Sequence, residues 1–169
     1  MRAEQGATFA GVGRRGDGRW SAASNWLDGA PSARSHMINR DNLFTLTRAS
    51  SKGFRETLNQ LLDAIATRGL TVFAQFDHAA DAREVDMELA AETVVVFGNP
   101  RAGTPLMQSD PRIGIELPLR ILVWNSDGTT MIAYNDPREL PNVYDVSEHA
   151  PTLEAMAALL ADLAHEATV

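Results

Sequence analysis

The chain of 169 residues contains no cysteine. The fold therefore uses no disulfide, and both a thiolate metal site and a cysteine nucleophile are excluded. No apolar run approaches the roughly 20 residues that a membrane-spanning helix requires. Cations are also scarce, since 15 Lys and Arg oppose 22 Asp and Glu, for a net charge of −7. Nucleic acids and anionic lipids attract clustered cations, so we predict neither a nucleic-acid nor a membrane partner.

The N-terminal part of the chain differs in composition from the rest. Residues 1–36 hold six of the twelve glycines and five arginines against three acidic residues, while residues 37–169 carry a net charge of −9. Such a segment buries too little apolar surface to offset its chain entropy. We therefore predict a flexible Gly/Arg-rich extension over 1–36 and a single domain over 37–169. The apolar stretch of a secretory signal is lacking, which predicts a cytoplasmic location.

Hydrophobic periodicity predicts seven main elements. Apolar residues at helical spacing predict helices over 53–68 and 152–167. Apolar runs rich in β-branched and aromatic residues predict five strands, over 43–48, 70–76, 93–97, 119–124 and 129–134. Asp127-Gly128 between the last two strands is a strong hairpin signal. The polar, Ala-rich segment 78–86 suggests a helical turn.

The resulting order β-α-β-β-β-β-α indicates an α+β fold. Tight helix-to-strand and hairpin connections favour an antiparallel sheet, and the regular alternation of a doubly wound parallel sheet is missing. Both helices have wide polar faces, so we expect both on one face of the sheet. The other face then meets water or a second subunit, and we predict a homodimer.

The segment Phe97–Pro111 packs two glycines and three prolines directly after an apolar strand. Each proline lacks a backbone donor and fixes φ, so we predict a long shaped loop of a kind that often carries function. Gly98-x4-Gly103-Thr104 is spaced like a phosphate loop, but the lysine is absent and Pro105 follows. A weaker hypothesis is that backbone N–H groups here bind an anion. The alternative is a purely structural loop.

Three stretches of the sequence resemble the domain of unknown function 302 family: ARGLTVFAQFDHAADAREV, VVVFGNPRAGTPLMQSDPRIGIELPLRILVW and AYNDP. The resemblance covers about residues 42–167. It implies a compact α+β domain of the TATA-binding-protein-like topology class, often dimeric. It implies no established activity, substrate or cofactor, so the cofactor stays unknown. The family pattern includes the F-D-H segment, which raises the interest of His78.

A D-H-x2-D-x2-E cluster is formed by Asp77, His78, Asp81 and Glu84. A histidine with carboxylates on one helical turn has the chemistry to ligate a divalent metal or to act in acid/base catalysis. The plainer interpretation is a solvated connection in which Asp77 caps a turn. We assign no metal, and we name His78 and Glu84 as the catalytic candidates.

Tyr134 and Asn135 end a strand, and aromatic and amide groups at strand ends are typical of pocket walls. Core packing of Tyr134 and an Asx turn are equally consistent with the pattern. We predict one ligand-binding site, formed by His78, Gly98, Asn99, Gly103, Thr104, Met107, Tyr134 and Asn135. The first hypothesis is a non-enzymatic domain that binds a small molecule there, with an anion as one option. The alternatives are a hydrolase or isomerase using His78 as acid/base, and a dimeric interaction module without a ligand.

Overall fold

A computed structural model describes residues 45–169. The predicted extension over 1–36 and the first residues of the predicted domain lie outside the described residues. Short 3-10 helices connect several of the main elements. None of the helices in the described part of the chain has the length and apolar character that a membrane crossing requires. The strands and α-helices in chain order are β1 Thr45–Ala49, α1 Phe54–Thr67, β2 Thr71–Asp77, α2 His78–Glu84, β3 Glu92–Gly98, α3 Pro100–Ser109, β4 Leu119–Ser126, β5 Thr129–Asn135 and α4 Ala150–Thr168.

The strands form one five-stranded antiparallel sheet in the order β1-β5-β4-β3-β2. The predicted antiparallel α+β class is therefore confirmed. The predicted hairpin joins β4 to β5, and Asp127 and Gly128 have φ values of 50° and 86°. Two consecutive residues with positive φ are what a tight turn of type I′ requires. The register between β2 and β3 shifts between Val72 and Ala74.

Helices α1 and α4 pack against each other on one face of the sheet, as their amphipathic patterns predict. Alternate residues of the central strands point toward these helices, because successive side chains of a strand face opposite ways. The sheet contributes Val95, Ile121 and Ile132 to this core, and the helices contribute Leu61 and Leu160. All five side chains are buried.

The other face of the sheet, which we call the open face, also carries apolar side chains. Phe76 pairs with Val94, and Val94 pairs with Leu122 across the next strand. Farther along the sheet, Trp124 pairs with Met131. These residues are half-buried, except for Phe76, which is 50% exposed. Neither α1 nor α4 contributes to this row.

The predicted element order lacks two helices that the structure contains. α2 adjoins β3 and corresponds to the helical turn suggested over 78–86. α3 occupies most of the segment Phe97–Pro111, so the prediction of a long loop there is wrong.

The reason for this helix lies in its N-terminal residues. The Asn99 side chain caps it, since Oδ1 accepts a hydrogen bond from the backbone N–H of Arg101 at 2.9 Å. Pro100 takes the first helical position, where a missing N–H costs nothing. Pro105 removes one bond, to the carbonyl of Arg101, because helical bonds run from residue i to i−4. The fully buried side chain of Leu106 anchors α3 to the core.

Candidate functional site

A cavity of about 210 Å³, which we call the α3 cavity, lies beside α3. Five of the predicted site residues line it: Gly98, Asn99, Gly103, Thr104 and Met107. The facing walls come from β2 and β4, with the residues just before each strand, and from helix α4, through Leu70, Phe73, Leu117, Pro118, Leu119, Met156 and Leu159. Among residues 45–169, no charged side chain belongs to this lining, and Asn99 and Thr104 are its polar members. The α3 cavity is therefore an apolar space with a few hydrogen-bonding groups.

Two glycines set how close the backbone lies to the walls of the α3 cavity. A Cβ atom added at Gly98 would lie 3.7 Å from Phe73 Cε2. One added at Gly103 would lie 3.6 Å from Leu117 Cδ1 and 4.0 Å from Met107 Cε. These are ordinary van der Waals distances, so a small side chain fits at either position. A large side chain at Gly103 would extend between two walls and occupy the cavity.

The hypothesis that this segment cradles an anion with its backbone does not fit the structure. The N–H of Arg101 donates to Asn99 Oδ1, and the N–H groups of Ala102 and Gly103 donate to the Asn99 carbonyl at 3.0 and 3.3 Å. These donors are therefore already used within α3. Gly98 ends β3 and Gly103 lies within α3, so neither glycine belongs to an exposed loop of the kind that binds phosphate.

His78 lines a different space, which we call the sheet-face hollow. It lies on the open face and measures about 380 Å³. Val94, Val96 and Phe76 form its apolar part, and Arg120 lines it beside them. Val96 and Arg120 are paired across β3 and β4, so their side chains are on the same face. The hollow therefore combines an imidazole and a guanidinium with an apolar floor.

A third hollow, of about 230 Å³, lies where β5 ends and includes Tyr134 and Asn135 in its lining. Asn135 Oδ1 accepts a hydrogen bond from Thr45 Oγ1 at 2.8 Å. Asp136 accepts from Arg138 Nε at 2.9 Å, and this partner lowers the pKa of the Asp136 carboxyl. Burial raises the pKa of Tyr134. Near neutral pH the Asp136 carboxyl is therefore ionised and the Tyr134 hydroxyl is neutral.

The structure does not bring the predicted site residues into one cavity. It places Gly103 and its neighbours in the α3 cavity, His78 in the sheet-face hollow, and Tyr134 in the third hollow. Strand alternation separates the α3 cavity from the sheet-face hollow, since Val94 and Val96 face away from the side on which α1 and α4 pack. The sheet-face hollow and the third hollow adjoin each other, with Val94 and Arg120 in both linings. Leu117 contributes to all three linings and stands between them.

The catalytic candidates His78 and Glu84 occupy opposite ends of α2. Residues six positions apart on a helix with 3.6 residues per turn project to different sides, so the two do not form a pair. Asp77 caps α2 as the plainer interpretation expects, because its Oδ1 accepts from the N–H of Ala80 at 2.9 Å. Within residues 45–169, no group of three His, Asp or Glu side chains is arranged to hold a metal ion.

One contact between polar side chains has no counterpart in the sequence-based prediction. Ser109 Oγ lies 2.8 Å from His149 Nε2 and donates to Glu148 Oε1 at 3.0 Å. The same Glu148 oxygen is 3.4 Å from the same ring nitrogen. A nucleophilic serine needs a histidine whose other nitrogen is held by a third group, which this arrangement does not provide. The three residues instead connect the end of α3 to the start of α4. Ser109 is about 40 positions from the other two along the chain, so no local sequence pattern predicts the contact.

Comparison with known proteins finds a family profile and a solved structure that are similar to this chain. The sequence profile for the family Domain of unknown function DUF302 matches residues 46–164. The chain belongs to the DUF302 family. A crystal structure of an uncharacterized conserved protein DUF302 from Bacillus stearothermophilus is similar to it, with a TM-score of 0.67 and 21% sequence identity. The similarity covers 74% of this chain and 98% of that chain, and it shows that the two share the DUF302 fold.

Relatives of this DUF302 chain also include larger proteins. Two of them are named fluoride-specific ion channel FluC 1, from Brucella suis biovar 1 and Brucella abortus biovar 1. Each is 36% identical over 93 residues, which is 54% of this chain. The match covers 37% of the first protein and 34% of the second. The chain thus spans about a third of the length of these relatives, and their names describe the whole proteins.

Proposed function

We propose that this DUF302 domain binds a small apolar molecule in the α3 cavity. The composition of the lining supports the proposal, because mostly apolar side chains line a space of about 210 Å³. An apolar protein cavity of roughly 150 Å³ is large enough to bind benzene. The α3 cavity therefore has room for one aromatic ring or a short branched chain.

The polarity of the lining favours a neutral ligand over an anion. In the part of the chain that the structure describes, no lysine, arginine or histidine lines the α3 cavity, so a carboxylate or phosphate placed there would lose its hydration without gaining a charged partner from that part. The Thr104 hydroxyl is exposed at the rim and offers one hydrogen bond to a polar tip of the ligand. Phe73 and Met107, which are 48% and 38% exposed, supply apolar surface where a ligand would enter.

Thermal unfolding with toluene as the probe tests this proposal. A ligand at ten times its Kd stabilises the folded state by about 1.4 kcal/mol, which raises the Tm by several degrees. We expect that rise for the unaltered chain. We expect no rise for Gly103→Leu, because the new side chain occupies the cavity.

Gly53→Leu is the matched control, since a Cβ atom added at Gly53 has no neighbour within 4 Å among the described residues. It should keep the full toluene response, measured against its own Tm without ligand. If toluene leaves the Tm of the unaltered chain unchanged, or if Gly103→Leu responds as strongly as Gly53→Leu, the α3 cavity is not the binding site.

We also infer that a second copy of the chain covers the apolar row at the far end of the open face. Trp124 and Met131 are paired there and only half-buried, which supports the homodimer predicted from the sequence. Light scattering at micromolar concentration should give twice the mass of the 18.4 kDa chain. Met131→Glu should give the monomer mass, because the dimer would bury an unpaired carboxylate. A monomer mass for the unaltered chain refutes this inference.

A further inference from the structure

The sheet-face hollow contains a guanidinium with hydrogen-bond donors that no group among residues 45–169 accepts. Arg120 Nη2 donates to the Ile115 carbonyl at 3.3 Å and to Glu116 Oε2 at 3.2 Å. A guanidinium has five N–H groups, and among residues 45–169 the Nε and Nη1 atoms of Arg120 donate to no other group. The side chain is 46% exposed. It can therefore bind a ligand without first breaking a contact.

The imidazole of His78 lines the same hollow. It makes no side-chain hydrogen bond within the described residues, and it is half-buried. A ring nitrogen that carries a proton donates to an acceptor, and a guanidinium has donors and no acceptor. Arg120 lies on β4 and His78 follows β2, on the far side of β3, so each side chain offers its donors from its own end of the hollow.

An apolar floor lies between these two polar side chains. Val94 and Val96 contribute their half-buried side chains, and Phe76 exposes half of its ring surface. Phe76 pairs with Val94 across β2 and β3, so the ring and the valines form one continuous surface. This surface suits an aromatic ring or an aliphatic chain, which gains free energy by leaving water.

We propose that the sheet-face hollow binds a small organic carboxylate, with the carboxylate at Arg120, the apolar body on Val94, Val96 and Phe76, and His78 at the far end of that floor. The site is separate from the α3 cavity, and the proposal does not depend on a ligand there. Glu116 on the other side of the guanidinium weakens its attraction for a polyanion such as phosphate, while a single carboxylate still forms charge-assisted hydrogen bonds. A bare inorganic anion gains nothing from the apolar floor.

Titration of the full chain with benzoate and with benzamide, followed by NMR, tests the site. The two probes have the same shape, but benzamide carries no charge. We expect benzoate to bind at least ten times more tightly than benzamide, with the largest shifts in the signals of His78, Phe76 and Arg120. Inorganic phosphate should cause no shifts at these residues.

Arg120→Gln should weaken benzoate binding at least tenfold and leave benzamide binding within a factor of two. Arg55→Gln is the matched control, because it removes the same charge from an exposed position on α1. It should leave both affinities unchanged. His78→Gln keeps an N–H donor and removes the ring, and it should weaken benzoate binding by a smaller factor than Arg120→Gln.

Equal affinity for benzoate and benzamide, or no binding of benzoate at 20 mM, would overturn the proposal. So would equal losses in Arg120→Gln and Arg55→Gln, which would indicate attraction by net charge alone. Shifts confined to Gly103 and Met107 would place benzoate in the α3 cavity instead, and would also overturn it. The toluene experiment tests the α3 cavity through Gly103, and the benzoate experiment tests the sheet-face hollow through Arg120. Either proposal can therefore fail while the other stands.

Discussion

The carboxylate of Asp110 holds the guanidinium of Arg112 with both oxygens, at 3.0 Å from Nε to Oδ1 and 2.7 Å from Nη2 to Oδ2. The same carboxylate accepts the backbone N–H groups of Arg112 and Asp145 at 3.0 and 3.1 Å. It thereby caps the 3-10 helix Pro111–Ile115 and fixes the chain that leads into α4. Asp136, Pro137 and Arg138 repeat the arrangement after β5.

Acid should therefore destabilise the fold through Asp110. Hydrogen bonds from Arg112, followed by that from Asp145, hold the pKa of the Asp110 carboxyl well below its usual range in the folded state. A carboxyl with a lowered folded-state pKa contributes its full stability above the unfolded-state pKa of about 3.9 and loses it as the pH falls toward the folded-state pKa. We expect the free energy of unfolding to drop below about pH 4 in the unaltered chain.

Urea unfolding between pH 7 and pH 2.5 measures this effect. Asp110→Asn should be less stable at pH 7 and should show a flatter dependence on pH below 4. Asp63→Asn, which removes an exposed carboxylate on α1, should retain the dependence of the unaltered chain. If the unfolding free energies of the unaltered chain and Asp110→Asn fall in parallel with pH, Asp110 is not the cause of the loss of stability in acid.

Gly103→Ala should stabilise the protein. Gly103 lies inside α3 without a positive φ, and the new Cβ would make ordinary contacts with Leu117 and Met107. Replacing glycine by alanine within a helix contributes roughly 0.5–1 kcal/mol. Gly69→Ala should have the opposite sign, because Gly69 follows α1 with φ +67°, a conformation that costs an alanine roughly 1 kcal/mol. Thermal unfolding of both variants checks the signs, and a loss of stability in Gly103→Ala would argue against a helix at this segment.

Two phenylalanines on opposite faces of the sheet should respond very differently to truncation. Phe97 is fully buried in the core, and Phe97→Ala should cost about 3–5 kcal/mol of unfolding free energy. Phe76 is 50% exposed on the open face, and Phe76→Ala should cost less than about 1 kcal/mol. Urea denaturation gives both values. A large loss for Phe76→Ala would indicate that another surface covers this ring in solution.

Ser109 and His149 should be energetically coupled. The 2.8 Å contact between Ser109 Oγ and His149 Nε2 joins the end of α3 to the start of α4. A double-mutant cycle with Ser109→Ala and His149→Ala should give a coupling free energy of about 0.5–1.5 kcal/mol. The cycle uses unfolding free energies at constant pH. Additive losses, within about 0.3 kcal/mol, would show that the contact contributes nothing to stability.

Local sequence patterns were enough to identify most of the secondary structure of this protein. Apolar spacing located α1, α4 and the five strands to within a few residues, because a buried face imposes its own period on a helix or strand. The pair Asp127-Gly128 identified the hairpin, since these residues accept positive φ. Local chemistry also placed Asp77 as a cap for α2.

Part of the reason that Pro100–Ser109 is a helix is local, since Asn99 caps it and Pro100 suits the first helical position, and only the tertiary structure added the burial of Leu106. Proline content argued for a loop, but the Asn99 cap and the burial of Leu106 outweigh the one hydrogen bond that Pro105 removes. Only the tertiary structure, too, separated His78 from Gly103 and Tyr134. The side of the sheet on which a residue lies depends on strand register and on which face the helices cover. Both are set by contacts between residues far apart in the chain, which no local pattern records.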